Sequence, residues 1–197
     1  LAGWRSRDGI LHDHGYLFIN GAAACFGLLE DQQAIEILRN LEQARRRIMG
    51  DDFRFGILPQ LKPVPRKDMS PSPSLNDSLL RHDERFNRLW WRPLRADGRD
   101  TYGVFTNGGL TPCFAFYYLC ALSKFGFDDT ATMVCNALLE SFEQGMFEGC
   151  MNGAECYTLD GTPSGYEGTL SHCYQVLLAI ALHKKWIKTL DPEWWPA

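Results

Sequence analysis

The stretch TNGGLTPCFAFYYLCALSKFG, residues 106–126, decides the fold class of this 197-residue chain. Thr111 and Pro112 are typical of a helix N-cap and of the first helical position. Gly126 is typical of a residue that ends a helix. No charged residue occurs between them until Lys124, so the segment lacks a polar stripe for solvent. The stretch therefore predicts a helix that other elements surround on most sides.

Four other segments carry helical patterns, and they alternate in character along the chain. Residues 15–29 and 165–188 are apolar nearly all round, whereas residues 31–49 and 128–147 have one apolar face. This alternation predicts an all-α fold with two layers, in which the first, third and fifth helices are inner and the second and fourth are outer. The predicted buried face of the fourth helix is Met133, Val134, Ala137, Leu138 and Phe142. The predicted stripe of the fifth is Leu170, Cys173, Tyr174, Leu177, Leu178, Ala181 and Leu182.

Residues 50–105 interrupt this helical pattern. The run LPQLKPVPRKDMSPSPS, residues 58–74, contains five prolines and predicts an irregular, extended chain. Ordered loops of this length inside a domain tend to be functional. We therefore expect one domain over residues 1–197, with residues 50–105 as a long loop insertion within it.

Composition narrows the class of protein. The net charge of −4 and the absence of a long basic run argue against nucleic acid as a partner. The uncharged stretch 101–123 has too short an apolar part for a bilayer span, which needs about 20 residues, so we expect no membrane association. The seven cysteines are odd in number and lie mostly in apolar runs, which favours reduced thiols and a cytoplasmic location. The start LAGWRSRDG has neither an initiator Met nor a signal region, which predicts a fragment of a longer chain or a trimmed one.

A second stretch, NGAECYTLDGTPSGYEG at residues 152–168, combines acids, glycines and tyrosines directly before the last apolar helix. Together with residues 106–126 and the helix that follows them, it resembles the C-terminal part of six-hairpin glycosidase-like proteins. The resemblance covers most of the chain outside residues 50–100. It implies helical hairpins of the (α/α)6-toroid type, here about five main helices of an incomplete toroid, with a sugar site where the long loops gather. Cys156 and Leu159 stand where relatives are expected to have tryptophans.

The resemblance implies glycoside hydrolysis by two carboxyl groups, one acting as general acid and the other as general base. In an inverting enzyme they lie about 6.5–9.5 Å apart, which leaves room for the attacking water. Toroid glycosidases take their base from the region before the final helix, which makes Glu167, followed by Glu155, the catalytic candidates. We expect Glu167 in the first turn of the final helix, where the helix dipole stabilises an anion. The acid of such enzymes comes from the N-terminal half, which would precede Leu1.

Seven further residues are candidates for sugar binding, because they offer carboxylate, amide, imidazole or aromatic groups on loops at helix entrances. Asp13 and His14 precede the first helix, and Asn107 precedes an inner helix. The Trp90–Trp91 pair in the long loop could stack on sugar rings or anchor the loop. The candidates are Asp13, His14, Asn107, Asp160, Tyr166, Trp90 and Trp91. Several have simpler explanations, since Asp160-Gly and Asn107-Gly are also ordinary turn sequences.

Two other classes of protein remain open. A non-catalytic carbohydrate-binding or scaffold fragment would use the same loop without an acid–base pair. A zinc-dependent α/α-toroid enzyme would use His12, Asp13, His14, His172 or Cys173. However, His172 and Cys173 are adjacent and point about 100° apart on a helix, so they cannot easily share one ion. We therefore expect no metal and no cofactor. The expected partners are a carbohydrate ligand and, through an exposed inner-helix surface, another copy of the chain or the missing N-terminal half.

Overall fold

The computed structural model describes residues 1–6, 8–64, 102–103, 107–147, 154–167 and 172–189. For Trp4, residues 164–167 and His172, only the path of the backbone is described. This part of the chain is mostly helical, which confirms the predicted all-α class. Its helices are α1 (Leu17–Cys25), α2 (Asp31–Met49), α3 (Ala115–Lys124), α4 (Asp128–Glu143) and α5 (Val176–His183).

Two short antiparallel ribbons accompany the helices. The strand β1 (Trp4–Arg5) pairs with β2 (Leu11–His12) ahead of α1. The strand β3 (Ala154–Tyr157) pairs with β4 (Pro163–Glu167) ahead of α5. A 3₁₀ turn, His172–Gln175, leads from the second ribbon into α5. Neither ribbon was predicted from the sequence.

The inner helices α1, α3 and α5 run in the same direction, with α3 packed against both of the others. The starts of α1 and α3 meet where the rings of Phe18 and Phe114 lie 4.9 Å apart. Their ends meet where Lys124 Nζ donates to the Ala24 carbonyl at 3.2 Å. The ends of α3 and α5 meet in a hydrogen bond of 2.9 Å between Ser123 Oγ and His183 Nδ1. This shared direction requires the chain to return to the starting end between each inner helix and the next.

The outer helices α2 and α4 supply those returns, α2 against α1 and α4 against α3 and α5. The start of α4 meets the end of α5, where Thr132 Oγ1 lies 3.0 Å from His183 Nε2. Lys184 Nζ reinforces this contact by donating to Asn136 Oδ1 at 2.9 Å. The two-layer order predicted from the alternating helices is therefore present in the structure. None of the described helices combines the length and the apolarity needed to cross a bilayer.

α1 and α3 approach each other closely at a glycine. A Cβ atom built on Gly21 would lie 2.7 Å from both the N and the Cα of Tyr118. Real Cβ atoms essentially never lie this close to backbone, so the crossing requires a residue without a side chain. Gly21 thus sets how near the two inner helices lie.

The buried face of α2 carries a polar network as well as apolar residues. Arg45 is fully buried and binds both carboxylate oxygens of Glu42 at 2.8 Å. It also donates to Asp51 Oδ1 at 2.8 Å and to the Gly50 carbonyl, and its guanidinium stacks over the ring of Phe53 at 4.5 Å. Across the helix interface, the Tyr118 hydroxyl donates to Glu42 Oε1 at 2.9 Å. Every charge in this network is paired, as burial demands.

Two details of helices α3 and α4 differ from prediction. The α3 helix begins at Ala115 rather than Pro112, because Thr111 pairs in an extended conformation with Ile57. Met133 was predicted to be buried on α4, but it is 39% exposed, and Ala131 and Cys135 are buried on that face.

The stripe predicted for the final helix is also wrong in part. α5 begins only at Val176, and its buried residues are Val176, Ala179 and Ile180, whereas Leu178 is 53% exposed. Cys173 is buried as predicted, but it lies in the 3₁₀ turn. The helix is short and apolar on every face, so its pattern does not specify which face is inward.

The first part of the long loop is packed rather than irregular. Phe53, Ile57 and Leu58 are each at most 1% exposed and belong to the main core. A backbone pairing of Ile57 with Thr111 fastens the segment to the entrance of α3. The predicted loop insertion therefore contributes core residues before residue 65. Residues 65–101, which include Trp90 and Trp91, lie outside the described residues.

Candidate functional site

The segments that lead into the inner helices are joined by backbone pairing at one end of the fold. Tyr16 pairs with Gln60, Ile57 with Thr111, and Leu110 with Tyr157. Because all three inner helices start from this end, their entrances lie next to one another. We call this the entry-loop cluster, and define it as residues 13–16, 57–64, 107–111 and 154–167. It contains every described candidate residue.

Asn107 holds the loop segment of this cluster in place. Its Oδ1 accepts hydrogen bonds from the Val64 backbone N at 2.8 Å and from Gln60 Nε2 at 3.3 Å. The Asn107 carbonyl accepts from Gly103 N at 2.9 Å. Asn107 does precede an inner helix, as predicted, and its amide oxygen is already committed to the protein itself.

Gln60 and Tyr102 complete this arrangement. Gln60 is 1% exposed, and its carbonyl accepts a hydrogen bond of 2.6 Å from the Tyr102 hydroxyl. Burial raises the pKa of Tyr102 to about 12, so the phenol stays protonated and remains a donor. Neither residue was predicted as a candidate from the sequence. For Gln60 the reason is that a glutamine in a proline-rich run carries no recognisable functional signal.

Asp13 and His14 lie at the entrance of α1, as predicted. Asp13 is exposed, and its Oδ1 accepts from Gly15 N at 3.0 Å, which shapes the turn into the helix. The carbonyl of His14 accepts from Leu61 N at 3.0 Å and Lys62 N at 2.9 Å. The His14 ring lies edge-on to Tyr16, with centroids 5.8 Å apart. The loop segment 57–64 thus fixes the entrance of α1 as well as that of α3.

Asp160 lies at the tip of the β3–β4 ribbon, where it stabilises the turn. Its Oδ1 accepts from the Thr158 hydroxyl, from Thr162 N at 3.3 Å and from Thr162 Oγ1 at 3.0 Å. These hydrogen bonds, led by the one from Thr158, lower the pKa of the exposed Asp160 carboxyl. Asp160 therefore has the turn role that the Asp-Gly sequence indicated.

The structure corrects the predicted position of Glu167. It ends strand β4, paired with Ala154 of β3, and it does not lie in the first turn of α5. Antiparallel pairing keeps its backbone extended, so the stabilisation by a helix dipole that we predicted for it does not apply. For Tyr166 and Glu167 the position on β4 is described and the side chain is not.

Glu155 lies on β3 between the buried residues Ala154 and Cys156, and is itself half-buried. The register of the two strands shifts between Ala154 and Cys156, so Glu155 lies at an irregularity of the ribbon. Its carbonyl oxygen is 3.8 Å from the thiol of Cys173, which is also 3.8 Å from Thr111 Oγ1. Cys173 thus ties the ribbon to the starts of α3 and α5.

Four acid-bearing positions of the prediction lie on segments of this cluster: Asp13, Glu155, Asp160 and Glu167. Two cavities of the described residues lie elsewhere. One, of about 600 Å³, lies between α2 and the start of α4, and the other, of about 500 Å³, lies near the ends of α1 and α3. Within the described ranges no three His, Cys, Asp or Glu side chains are grouped as metal ligands would be.

Comparisons of this chain with protein-family models, with curated proteins and with solved structures found no match.

Proposed function

We propose that the chain is a glycoside hydrolase-like domain whose entry-loop cluster binds a glycoside or oligosaccharide. One observation carries the proposal: the segments holding Asp13, Glu155, Asp160 and Glu167 meet at the common entrance of three inner helices. Inner helices that run in one direction, with an outer helix between each one and the next, are also what part of an (α/α)6 toroid requires. Carboxylates on a rigid helical scaffold suit the acid–base chemistry of glycoside cleavage.

In the proposed reaction, Glu167 or Glu155 is the general base that takes a proton from water as the water attacks the anomeric carbon. Inversion follows, because water attacks the face opposite the leaving group. The general acid must protonate the leaving oxygen from the other side of the sugar. The residues of the cluster that are already engaged, Asn107 and Asp160, would hold the shape of the site rather than react.

The test compares hydrolysis of aryl glycosides and natural oligosaccharides by the chain and by two variants, Glu167→Gln and Glu155→Gln. We expect loss of the base to lower kcat by about 10²–10⁴-fold with little change in far-UV circular dichroism. Glu36→Gln is the matched control, because Glu36 is exposed on α2, away from the cluster. NMR of the first-formed sugar anomer distinguishes inversion from retention.

Two results would overturn parts of the proposal. Equal turnover by Glu167→Gln, Glu155→Gln and the parent chain would remove both glutamates from the reaction. Saturable sugar binding without turnover, unchanged in both variants, would favour the non-catalytic binding protein.

A further inference from the structure

The ends of α1 and α3 bring two cysteines together at a cavity. Cys25 is the last residue of α1 and is half-buried, and Cys120 lies within α3 and is 3% exposed. Both line the cavity of about 500 Å³, beside Lys124 and the ring of Tyr117. All six cysteines in the described residues are thiols. This cavity lies apart from the entry-loop cluster.

The backbones of α1 and α3 approach each other closely one helical turn away from these cysteines. Gly21, one helical turn before Cys25, allows α1 to contact the backbone of α3 at Tyr118. The Cys25 thiol donates at 3.4 Å to the carbonyl of Tyr117, three residues before Cys120 on α3, and both thiols line the same cavity. A disulfide requires Cα atoms about 4.4–6.8 Å apart, and the close approach of α1 and α3 at Gly21 favours such a separation.

The environment makes Cys25 the more reactive thiol. The hydrogen bond from Cys120 lowers the pKa of Cys25 against the opposing effect of burial, and the nearby Lys124 ammonium lowers it further. Lys124 is held in place by hydrogen bonds to the carbonyls of Ala24 and Cys25. The same thiol–thiol hydrogen bond, together with burial, raises the pKa of Cys120. A thiolate beside a fixed cation is the usual setting of a reactive cysteine.

Neighbouring Cys135 differs in each of these respects. It is fully buried in α4, and burial raises its pKa to about 11. Its thiol is therefore neutral at physiological pH and has no access to a solute.

We propose that Cys25 and Cys120 form an oxidative modification site, in which a hydroperoxide oxidises Cys25 and Cys120 converts the product into a disulfide between α1 and α3. The Cys25 thiolate attacks the outer peroxide oxygen, the O–O bond breaks, and the alkoxide or hydroxide leaves and takes up a proton. Cys25 is then a sulfenic acid. Cys120 attacks its sulfur, the S–O bond breaks, and the hydroxyl leaves with the Cys120 proton as water. The two thiols lose two electrons, and the peroxide gains them.

The test treats the reduced chain with hydrogen peroxide at neutral pH, blocks remaining thiols with iodoacetamide and maps non-reduced tryptic peptides by mass spectrometry. Peptide 8–39 contains Cys25 as its one cysteine, and peptide 100–124 contains Cys113 and Cys120. In a Cys113→Ser background we expect these peptides to appear joined, lighter by two hydrogen atoms, and to separate on reduction. The oxidised chain should also unfold at a higher temperature, because the bond closes a long loop.

Single variants distinguish the two roles. Cys120→Ser should leave Cys25 as a sulfenic acid that dimedone captures, and Cys25→Ser should abolish the joined peptide. On the unsubstituted chain, which needs no variant to fold, Cys25 should react with iodoacetamide faster than Cys113, which is also half-buried. The proposal is overturned if peroxide leaves Cys25 and Cys120 alkylatable, or if Cys25 reacts no faster than Cys113. A cross-link joining Cys25 to a different cysteine would overturn the assignment of Cys120.

Discussion

Gly21 of α1 lies directly against the backbone of Tyr118 in α3, at the point where the two inner helices are closest. Helix propensity alone predicts that Gly21→Ala stabilises the chain by about 1 kcal/mol. The structure predicts the opposite, because the new methyl group would meet backbone that cannot rotate away. We expect a net loss of about 2 kcal/mol in the free energy of unfolding, measured by urea denaturation.

The control for this prediction is Ala22→Gly, at the half-buried neighbouring position. It should cost about 1 kcal/mol through helix propensity alone. A Gly21→Ala variant more stable than the parent chain would contradict the close approach of α1 and α3.

The hydroxyl of Tyr118 supports the buried Glu42 carboxylate, so removing it should destabilise the fold. Tyr118→Phe leaves Glu42 Oε1 without this donor in a site that water does not reach. We expect a loss of about 2 kcal/mol, as for other hydrogen bonds to charged groups. Tyr117→Phe, at the adjacent, more exposed ring, should change stability by no more than about 0.5 kcal/mol. Equal losses of unfolding free energy in Tyr118→Phe and Tyr117→Phe would show that the hydrogen bond from Tyr118 to Glu42 does not stabilise the fold.

Two adjacent arginines of α2 differ sharply in burial, which makes them a matched pair. Arg45→Met would leave the Glu42 carboxylate buried without its main partner, and we expect a loss of about 3–5 kcal/mol. The side chain of Arg46 is 52% exposed, and its pairs with Glu42 and Asp51 are longer, at 3.9 and 3.3 Å. Arg46→Met should therefore cost less than about 1 kcal/mol. Denaturant titrations of both variants measure the difference, and similar costs would contradict it.

His183 should make stability depend on pH between neutral and mildly acidic conditions. Its ring nitrogens lie 2.9 Å from Ser123 Oγ and 3.0 Å from Thr132 Oγ1. Burial lowers the pKa of His183 below its usual 6.5, so the folded chain favours the neutral ring. The unfolded chain takes up this proton first as the pH falls. The contribution of His183 to the free energy of unfolding is therefore fully present above about pH 6.5. It is lost as the pH falls through the lower pKa that His183 has in the folded chain.

Thermal unfolding of the parent chain and of His183→Gln over this range tests the assignment. Glutamine keeps hydrogen-bonding capacity but does not titrate, so the fall in Tm toward acidic pH should be smaller in the variant. Parallel Tm curves for the two proteins would rule out His183 as the source.

The layer order was predictable from the sequence because it depends on charge along each helix. The segment 106–126 has no charge before Lys124, and α3 is indeed the helix that touches both other inner helices. In α5 the absence of charge did not predict the buried face, since a helix that is apolar all round does not show whether Leu178 or Ile180 is inward. Phe53 and Ile57 were missed for a different reason: their burial comes from contacts distant in sequence, which a proline-rich pattern hides.

The sequence predicted that the candidate residues lie at helix entrances, but it did not predict their local geometry. The Asp160-Gly161 pair was interpreted as a turn, yet the strands on either side of it were missed, although Asp-Gly between short apolar runs is also a hairpin signal. This error placed Glu167 on a helix. The meeting of Cys25 with Cys120 has no signal in the sequence at all, because it depends on Gly21 lying across from Tyr118.

The residues that flank the segment 65–101 are held by hydrogen bonds at the entry-loop cluster. These bonds join Gln60, Val64, Tyr102 and Asn107. The chain leaves the cluster at Val64 and contacts it again at Tyr102, and hydrogen bonds through Gln60 and Asn107 hold both points. A segment whose two ends are anchored to the same neighbours can be lengthened, shortened or exchanged at little cost in closure entropy. We therefore expect changes of length or sequence within residues 65–101 to leave the helical layers unchanged.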